Sequence, residues 1–276
     1  MSDRTTPHHP EFTQGSGPHH YSTPKISVIT VAFNAGNTIE RTITSVQAQT
    51  YPNMEHIVID GGSTDDTISM LDRYRPHFAH CVSEPDRGIA DAMNKGATAA
   101  TGDYYVFLNA DDSFADPSAL EAALQAIATA PGYDFYAFCI FFGSPDNYER
   151  RCSRSLDWRM RFKTGIFHQG VLCNASAHHK LGGFRTTLSY ALDYDYFLRA
   201  YLAGMSLRPI NQTLAFMSVG GMSTGRDWPS VRRRLDQEQQ IHKITGQGAW
   251  KLIYTAYWAL YHPFKYVKHS ADPRGS

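Results

Sequence analysis

No apolar run in this 276-residue chain reaches the roughly 18 residues that a membrane-spanning helix needs. An excess of charge of one sign is missing too, since 26 Lys and Arg balance 26 Asp and Glu. That balance excludes the broad basic field of a nucleic-acid binder, so any basic surface must be local. Cysteine is scarce and unpaired in spacing: Cys81, Cys139, Cys152 and Cys173 contain no CxxC. A structural zinc site or a disulfide framework is disfavoured, and reduced thiols in a cytoplasmic protein are expected. The opening stretch to Tyr21 is polar and rich in His, Pro, Gly and Thr, with no apolar core of a signal peptide. It reads as a disordered tail over residues 1–23, in which His8, His9, His19 and His20 would bind metal only weakly. No internal repeat and no linker interrupts the remainder.

What is present is ordinary globular composition, 42% hydrophobic and 19% charged, arranged with a clear period. "KISVITVAF" at 25–33 is β-branched and apolar almost throughout, the mark of a strand buried on both faces. "NAGN" turns the chain into a helix with Ile39, Ile43 and Val46 at helical spacing. "MEHIVIDGGSTDDT" repeats the scheme, with Ser63, Thr64 or Asp65 expected to cap the next helix. "AHCVSEPD" and "GIADAMNKGATAA" add a third strand and helix, and "DYYVFLNADD" a fourth strand. Such alternation predicts an α/β fold with a mainly parallel, Rossmann-like sheet flanked by helices. Ligands of such sheets sit beyond the carboxyl ends of the strands. Asn34, Asp60, Asp86 and the 109–112 cluster all lie at such ends, which predicts one shared crevice. After about residue 130 the pattern loosens into "YDFYAFCIFFG", a buried strand, and later helices.

At the tip of the fourth strand, Asp111 and Asp112 stand side by side. Like charges at that distance repel, and each loses solvation in a concave site. A divalent cation held jointly with phosphate oxygens would relieve both costs, and Mg2+ or Mn2+ suits oxygen ligands. The plain alternative is a helix cap, but Pro117 at an early helical position makes Asp116 the better cap. Asp60, followed by two glycines, lets backbone approach a ring closely and could accept a hydrogen bond from a base N–H.

The run from "ISVITVAFNAGNTIERT" through "VIDGGSTDDT" and "SEPDRGIADAMNKG" to "VFLNADD" resembles family 2 of the nucleotide-sugar glycosyltransferases, which have the GT-A fold. The likeness covers roughly residues 25 to 225 with several motifs in order, and is greatest to bacterial enzymes building exopolysaccharide or O-antigen. It implies that Ala32, Phe33, Asn34 and Asp60 hold the nucleotide base and ribose, and that Asp86, Asn94 and Lys95 close over the nucleotide. Asn109 and Asp111 would join them at the nucleotide. Asp111 and Asp112 match the metal-binding DxD motif, with Asp112 the more direct ligand of Mn2+ or Mg2+. The family's "EDYDLWLR" is "ALDYDYFLR" here. Asp193 then takes the position of the catalytic base, Leu192 replaces the usual Glu, and Asp195 is the fallback. Gly61 replaces the second Asp of the strand-two motif. The resemblance implies an inverting transfer of sugar from a nucleotide-diphosphate donor, UDP most often, to a hydroxyl of a saccharide or lipid-linked acceptor. A helix N-terminus should keep Asp193 ionised.

Fainter expectations concern the acceptor side. His168 and Gln169 fall where the family lines it, although a satisfied core histidine accounts for His168 equally well. Ser223, Thr224 and Arg226 read either as a loop clamping the diphosphate or as a solvated loop. Arg199 is expected to be structural, because the helix phase turns it away from Asp193. The basic run "RCSRSLDWRMRFK" could meet a lipid diphosphate or a membrane surface, or simply be solvated. A GT-A domain over 24–230 is expected, followed by a helical segment over 231–276. That segment is aromatic with flanking lysines, which suits peripheral contact with a bilayer or a homodimer. Rival functions fare worse. A dinucleotide oxidoreductase would show GxGxxG where "NAGNTIE" stands, and a sugar nucleotidyltransferase would carry a basic, glycine-rich loop there. A non-catalytic nucleotide-sugar binder would have little use for both the acidic pair and Asp193.

Overall fold

The computed structural model describes residues 23–219, 225 and 227–270. Its first half follows the βα alternation. Strand β1 (Ile26–Ala32) leads to helix α1 (Ile39–Gln47), then β2 (Met54–Asp60), α2 (Thr67–Tyr74), β3 (His80–Ser83), α3 (Ile89–Ala99) and β4 (Tyr104–Phe107). These four strands are parallel, with β1 between β2 and β4 and β3 outside β2. Period-two alternation sorts their side chains. Ile29 and Val31 face α3, packing with Ala90 and Met93, whereas Ile26 and Val28 join the opposite layer. Burial of both faces is why β1 carries almost no polar residue.

The second half adds β5 (Ser113–Phe114), α4 (Ala119–Thr129), β6 (Phe135–Ser144), β7 (Asn147–Cys152), β8 (Val171–Asn174), α5 (Ala175–Leu181), α6 (Leu192–Leu202), β9 (Leu207–Ser218), α7 (Trp228–Thr245) and α8 (Ala249–Ser270). Among the described residues the sheet runs β3-β2-β1-β4-β8-β6-β9-β5, with β7 on β6. Here the pairing is mixed: β8 is antiparallel to β4 and β6, and β9 is parallel to β6. The parallel character expected throughout therefore belongs to the first half. Because β8 runs antiparallel to β4, its beginning lies at the carboxyl ends of the parallel strands, which places the turn before it at the site.

Two local expectations are corrected. Cys139 and Cys152 are not free thiols but form a disulfide, leaving Cys81 and Cys173 unpaired. Their register is the reason: the β6–β7 hairpin sets the two residues directly opposite, a neighbourhood that spacing in sequence does not reveal. The N-cap of α2 is also not one of the three expected residues but Asp66, whose side chain makes no capping bond. Asp65 accepts the Thr67 N–H at 3.0 Å, while the Ser63 hydroxyl is donated to Asp60. Asp116 does hold the turn before α4, accepting the Ser118 N–H at 2.8 Å.

Close approach of α3 to the sheet depends on Gly96. A Cβ there would stand 2.4 Å from Ile29 Cγ2. Gly96→Ala is therefore expected to destabilise by about 1–3 kcal/mol through overpacking, read as a lower urea midpoint.

Helix α7 starts at Trp228, with Asp227 accepting the Ser230 N–H at 3.1 Å. It is joined to the main body, since Ile241 is buried in the same core cluster as Phe197 and Met205. Helix α8 lies along α7, where Tyr254 and Trp258 bury against Leu235.

Candidate active site

The crest after β4 is held from three directions. Thr42 of α1 donates its hydroxyl to the Asp112 carbonyl at 2.6 Å, and Arg41 reaches both the Asp111 carbonyl and the Ser218 hydroxyl. The Ser218 N–H, at the end of β9, donates to Asp112 Oδ1 at 3.1 Å. Gln169, in the 3-10 turn entering β8, donates to Asp112 Oδ2 at 3.1 Å. The Asp112 carboxylate is thus fully buried and aimed by two donors. Burial pushes its pKa well above the usual carboxylate range, and the neighbouring Asp111 charge pushes it further. Burial raises Asp111 as well, with Arg41 only partly opposing it. His168 stands beside this crest, its Nε2 3.4 Å from Asn109 Nδ2, and burial lowers its pKa to about 4, keeping the ring neutral. Asn109 Oδ1 is buried without a hydrogen-bond partner.

At the ends of β1, β2 and β3 the polar residues knit the turns together. Asn34 adopts a left-handed conformation, φ 49°, which asparagine tolerates. Its N–H meets Ser63 Oγ at 2.7 Å and its Oδ1 accepts the Thr64 N–H at 2.9 Å. Phe33 beside it is exposed, whereas Ala32 is buried. Asp60 is wholly buried and accepts from the Gly62 and Ser63 N–H groups and from the hydroxyls of Ser63 and Ser83. The carboxylate of Asp86 accepts the Gly88 N–H at 2.7 Å and lies where a side chain at Gly61 would stand, 2.5 Å from its Cβ position. A side chain at 61 would have to displace that carboxylate. Lys95 pairs with Glu84 at 2.7 Å. Asn94 turns the other way, bonding the Phe184 N–H and carbonyl, both at 2.8 Å, and so ties α3 to the segment before α6.

Helix α6 begins in a prepared seat. The side-chain amide oxygen Oε1 of Gln237 on α7 accepts the N–H groups of Ser189, Tyr190 and Ala191 at 3.1, 2.8 and 3.1 Å, pinning the turn that enters the helix. Asp193 is half-buried in the first turn, and its Oδ1 accepts the Tyr194 N–H at 2.7 Å. Here burial outweighs the helix terminus: Asp193 is pushed up to about 6, not down as its position suggests. Glu238 of α7 is raised to about 7, mainly by burial and in small part by the Asp193 charge. Asp195, by contrast, is fully buried between Arg185 at 2.6 Å and Arg199 at 2.8 Å. Its oxygens are thus held by two guanidinium groups in a buried ion triad, and Arg199 also donates to the Leu181 and Gly183 carbonyls at 2.7 and 2.6 Å. Asp195→Ala is expected to cost about 3–5 kcal/mol by stranding those charges, seen as a lower midpoint in denaturant unfolding. Ser223 and Arg226, with Thr224, lie outside the described residues. A separate cleft of about 550 Å3, lined by Lys25, Tyr51, Glu55 and His77, opens at the amino ends of the strands, away from these acids.

Residues 27–192 match the model of glycosyl transferase family 2. The chain belongs to that family. Over 225 residues it is 37% identical to an uncharacterised glycosyltransferase of Mycobacterium tuberculosis, covering 80% of this chain and 86% of that one. Among solved structures it is similar to the mannosyltransferase PcManGT of Pyrobaculum calidifontis in complex with GDP-Man and Mn2+. That likeness has a TM-score of 0.64 and 23% identity, over 88% of this chain and 72% of that one. It is also similar to S. aureus TarS 1-349 in complex with UDP-GlcNAc, with a TM-score of 0.59 and 15% identity, over 86% and 73% of the two chains. This family 2 member therefore has the GT-A fold, with a helical part at its C-terminal end. Among the described residues no helix is long and apolar enough to cross a membrane.

The donor set of this family 2 chain fits a hard divalent cation. Two adjacent carboxylates are raised by burial, and a side-chain oxygen, Asn109 Oδ1, is buried and unsatisfied nearby. Among the described residues no group of three or more His, Cys, Asp or Glu could enclose a metal. Such a cation would have to take further ligands from a diphosphate or water, as Mg2+ and Mn2+ commonly do. Sequence reasoning missed Arg41, Thr42, Ser218 and Gln237. Each acts across at least 46 residues of chain, and nothing local marks them.

Proposed function

We propose that the protein is an inverting, Mn2+- or Mg2+-dependent glycosyltransferase that takes a sugar from a nucleotide-diphosphate donor, UDP foremost. The acceptor is a hydroxyl of a saccharide or lipid-linked chain in surface-polysaccharide synthesis at the cytoplasmic face. The observation that carries this reading is the adjacent, mutually repelling pair Asp111 and Asp112, the second of them buried and oriented by Gln169 and Ser218. Support comes from family membership and from related folds that hold UDP-GlcNAc or GDP-Man with Mn2+.

In this proposal Asp111 and Asp112 hold the cation, with Asn109 Oδ1 as a further oxygen. The bound cation supplies Lewis-acid neutralisation of charge on the leaving diphosphate. Phe33 offers an exposed ring at the β1 tip for the base. The backbone around Asn34 and Gly61, kept open by Asp60 and Asp86, frames the ribose, and Lys95 lends a positive charge near the closing segment. Asp193 accepts the proton of the acceptor hydroxyl as its oxygen bonds to the anomeric carbon and the bond to the diphosphate breaks. A single displacement inverts that carbon. His168 stays neutral beside Asn109 on the acceptor side, where Gln169 also lies; Asp195 is left to its arginines. Ser223 and Arg226 remain candidates for a diphosphate clamp.

Thermal-shift screening of UDP-, GDP- and dTDP-sugars with Mn2+ tests the donor. A matched nucleotide at a hundredfold its Kd stabilises by about 2.7 kcal/mol, and no shift with any of them would refute nucleotide-sugar binding.

A further inference from the structure

Helix α8 has two unlike faces. One carries Tyr254 and Trp258, buried against Leu235 of α7, and beside them Trp250, Tyr257 and Tyr261. On the other, Leu252, Ala256, Leu260, Phe264 and Val267 recur at spacings of three and four residues, so they share one side at 3.6 residues per turn. Leu252 is 74% exposed, Leu260 76%, Phe264 57% and Val267 65%. No charged residue interrupts that stripe. Across Ala249–Ser270 there is no Asp or Glu at all, while Lys251, Lys265 and Lys268 lie off the stripe. At 1.5 Å per residue the helix is roughly 33 Å long, too polar overall to span a bilayer.

The surface continues beyond α8. Phe162 packs on Trp250, Tyr254 and Tyr257, and Arg161 stands 3.9 Å from the Trp250 ring. This anchors the basic segment 151–163 beside the helix, with Trp158 exposed. A long apolar stripe on a helix without Asp or Glu, a neighbouring segment with five Arg and Lys against one Asp, and an exposed Trp complement one kind of surface, an anionic bilayer leaflet. A second copy of the chain would bring the same lysines together rather than opposite charge.

We infer that the outward face of α8, with the Trp158 segment, lies flat on an anionic lipid surface. The helix rests in the headgroup region, its stripe dipping among acyl chains and Lys268, the lysine nearest the stripe, reaching phosphates. Asp193 and Glu238 lie behind the same α7–α8 corner, because Lys163, Lys265, Tyr257 and Tyr261 all act electrostatically on Glu238. Docking therefore turns the α6 end of the molecule toward lipid-borne acceptors. That last consequence rests on the proposed transferase activity; the docking does not.

The test uses the full chain and vesicles, without donor or acceptor. Co-sedimentation is expected with vesicles containing phosphatidylglycerol and not with pure phosphatidylcholine, together with a blue shift of tryptophan emission. The double variant Leu260→Glu, Phe264→Glu should partition roughly tenfold or more weakly while keeping the wild-type circular dichroism spectrum. Equal partitioning of the variant, or no binding to anionic vesicles, overturns the inference. So does a dimer by light scattering that the same variant dissolves, since the stripe would then belong to a second copy.

Discussion

Asp193→Asn is expected to lower the rate of sugar transfer by about 10²–10⁴-fold, with nucleotide affinity in the presence of Mn2+ unchanged. Asn keeps the shape of the side chain and can still accept the Tyr194 N–H, so α6 should begin as before. Only the ability to take a proton is lost. The wild-type pH profile follows from the same group. Burial pushes Asp193 up to about 6, and a base works only when deprotonated. Activity should rise tenfold per unit below about pH 6 and flatten above it. The stability sign is the reverse. The fold favours the neutral acid, so this group's stabilisation is complete below its unfolded pKa and fades as pH rises from about 4 to about 6. Asp193→Asn should abolish the rate trend and remove this group's share of the stability trend, leaving the share of Glu238. An unaltered pH–rate profile would remove Asp193 from the reaction.

Asp112→Asn is expected to lower turnover by about 10²–10³-fold and to cost little or no stability. Two effects compete in the fold. Asparagine removes a desolvated charge that Asp111 repels, but its amide can face only one of the two donors, Gln169 or the Ser218 N–H, as an acceptor. A lost hydrogen bond is worth about 1 kcal/mol, similar to the relief, so the unfolding midpoint should barely move. Loss of function without loss of stability is the sign of a group kept for binding. A sharp fall in the midpoint would mean that Asp112 is structural. Asp111→Asn should have the smaller effect on turnover, since fewer protein groups orient that side chain.

The parallel half of the sheet was legible because its strands are buried on both faces, which forces runs such as Ile26–Ala32 to be apolar. The crest at 109–112 was legible because adjacent acids at a strand tip are costly without a cation. The supports of that crest were not: Arg41, Thr42 and Ser218 are ordinary helix and strand residues until the chain has folded. Asp193 could be found by its motif, but its ionisation could not, since burial depends on how α7 closes over α6. Leu192 in place of the usual acid is accommodated by burial of its side chain in the main core. Asn94 bonds the Phe184 backbone, 90 residues away, a partner that its place in "DAMNKG" does not reveal. The Cys139–Cys152 pair was hidden because a hairpin register decides it. For α8, the aromatic content was plain, but which face is covered and which is bare depends on its packing against α7.

Calorimetric titration of UDP into the full chain, first with Mn2+ and then with EDTA, probes the cation most directly. Affinity should fall at least tenfold, about 1.4 kcal/mol, when the metal is removed, and Asp112→Asn should bind weakly under both conditions. Equal UDP affinity with and without metal would contradict the account.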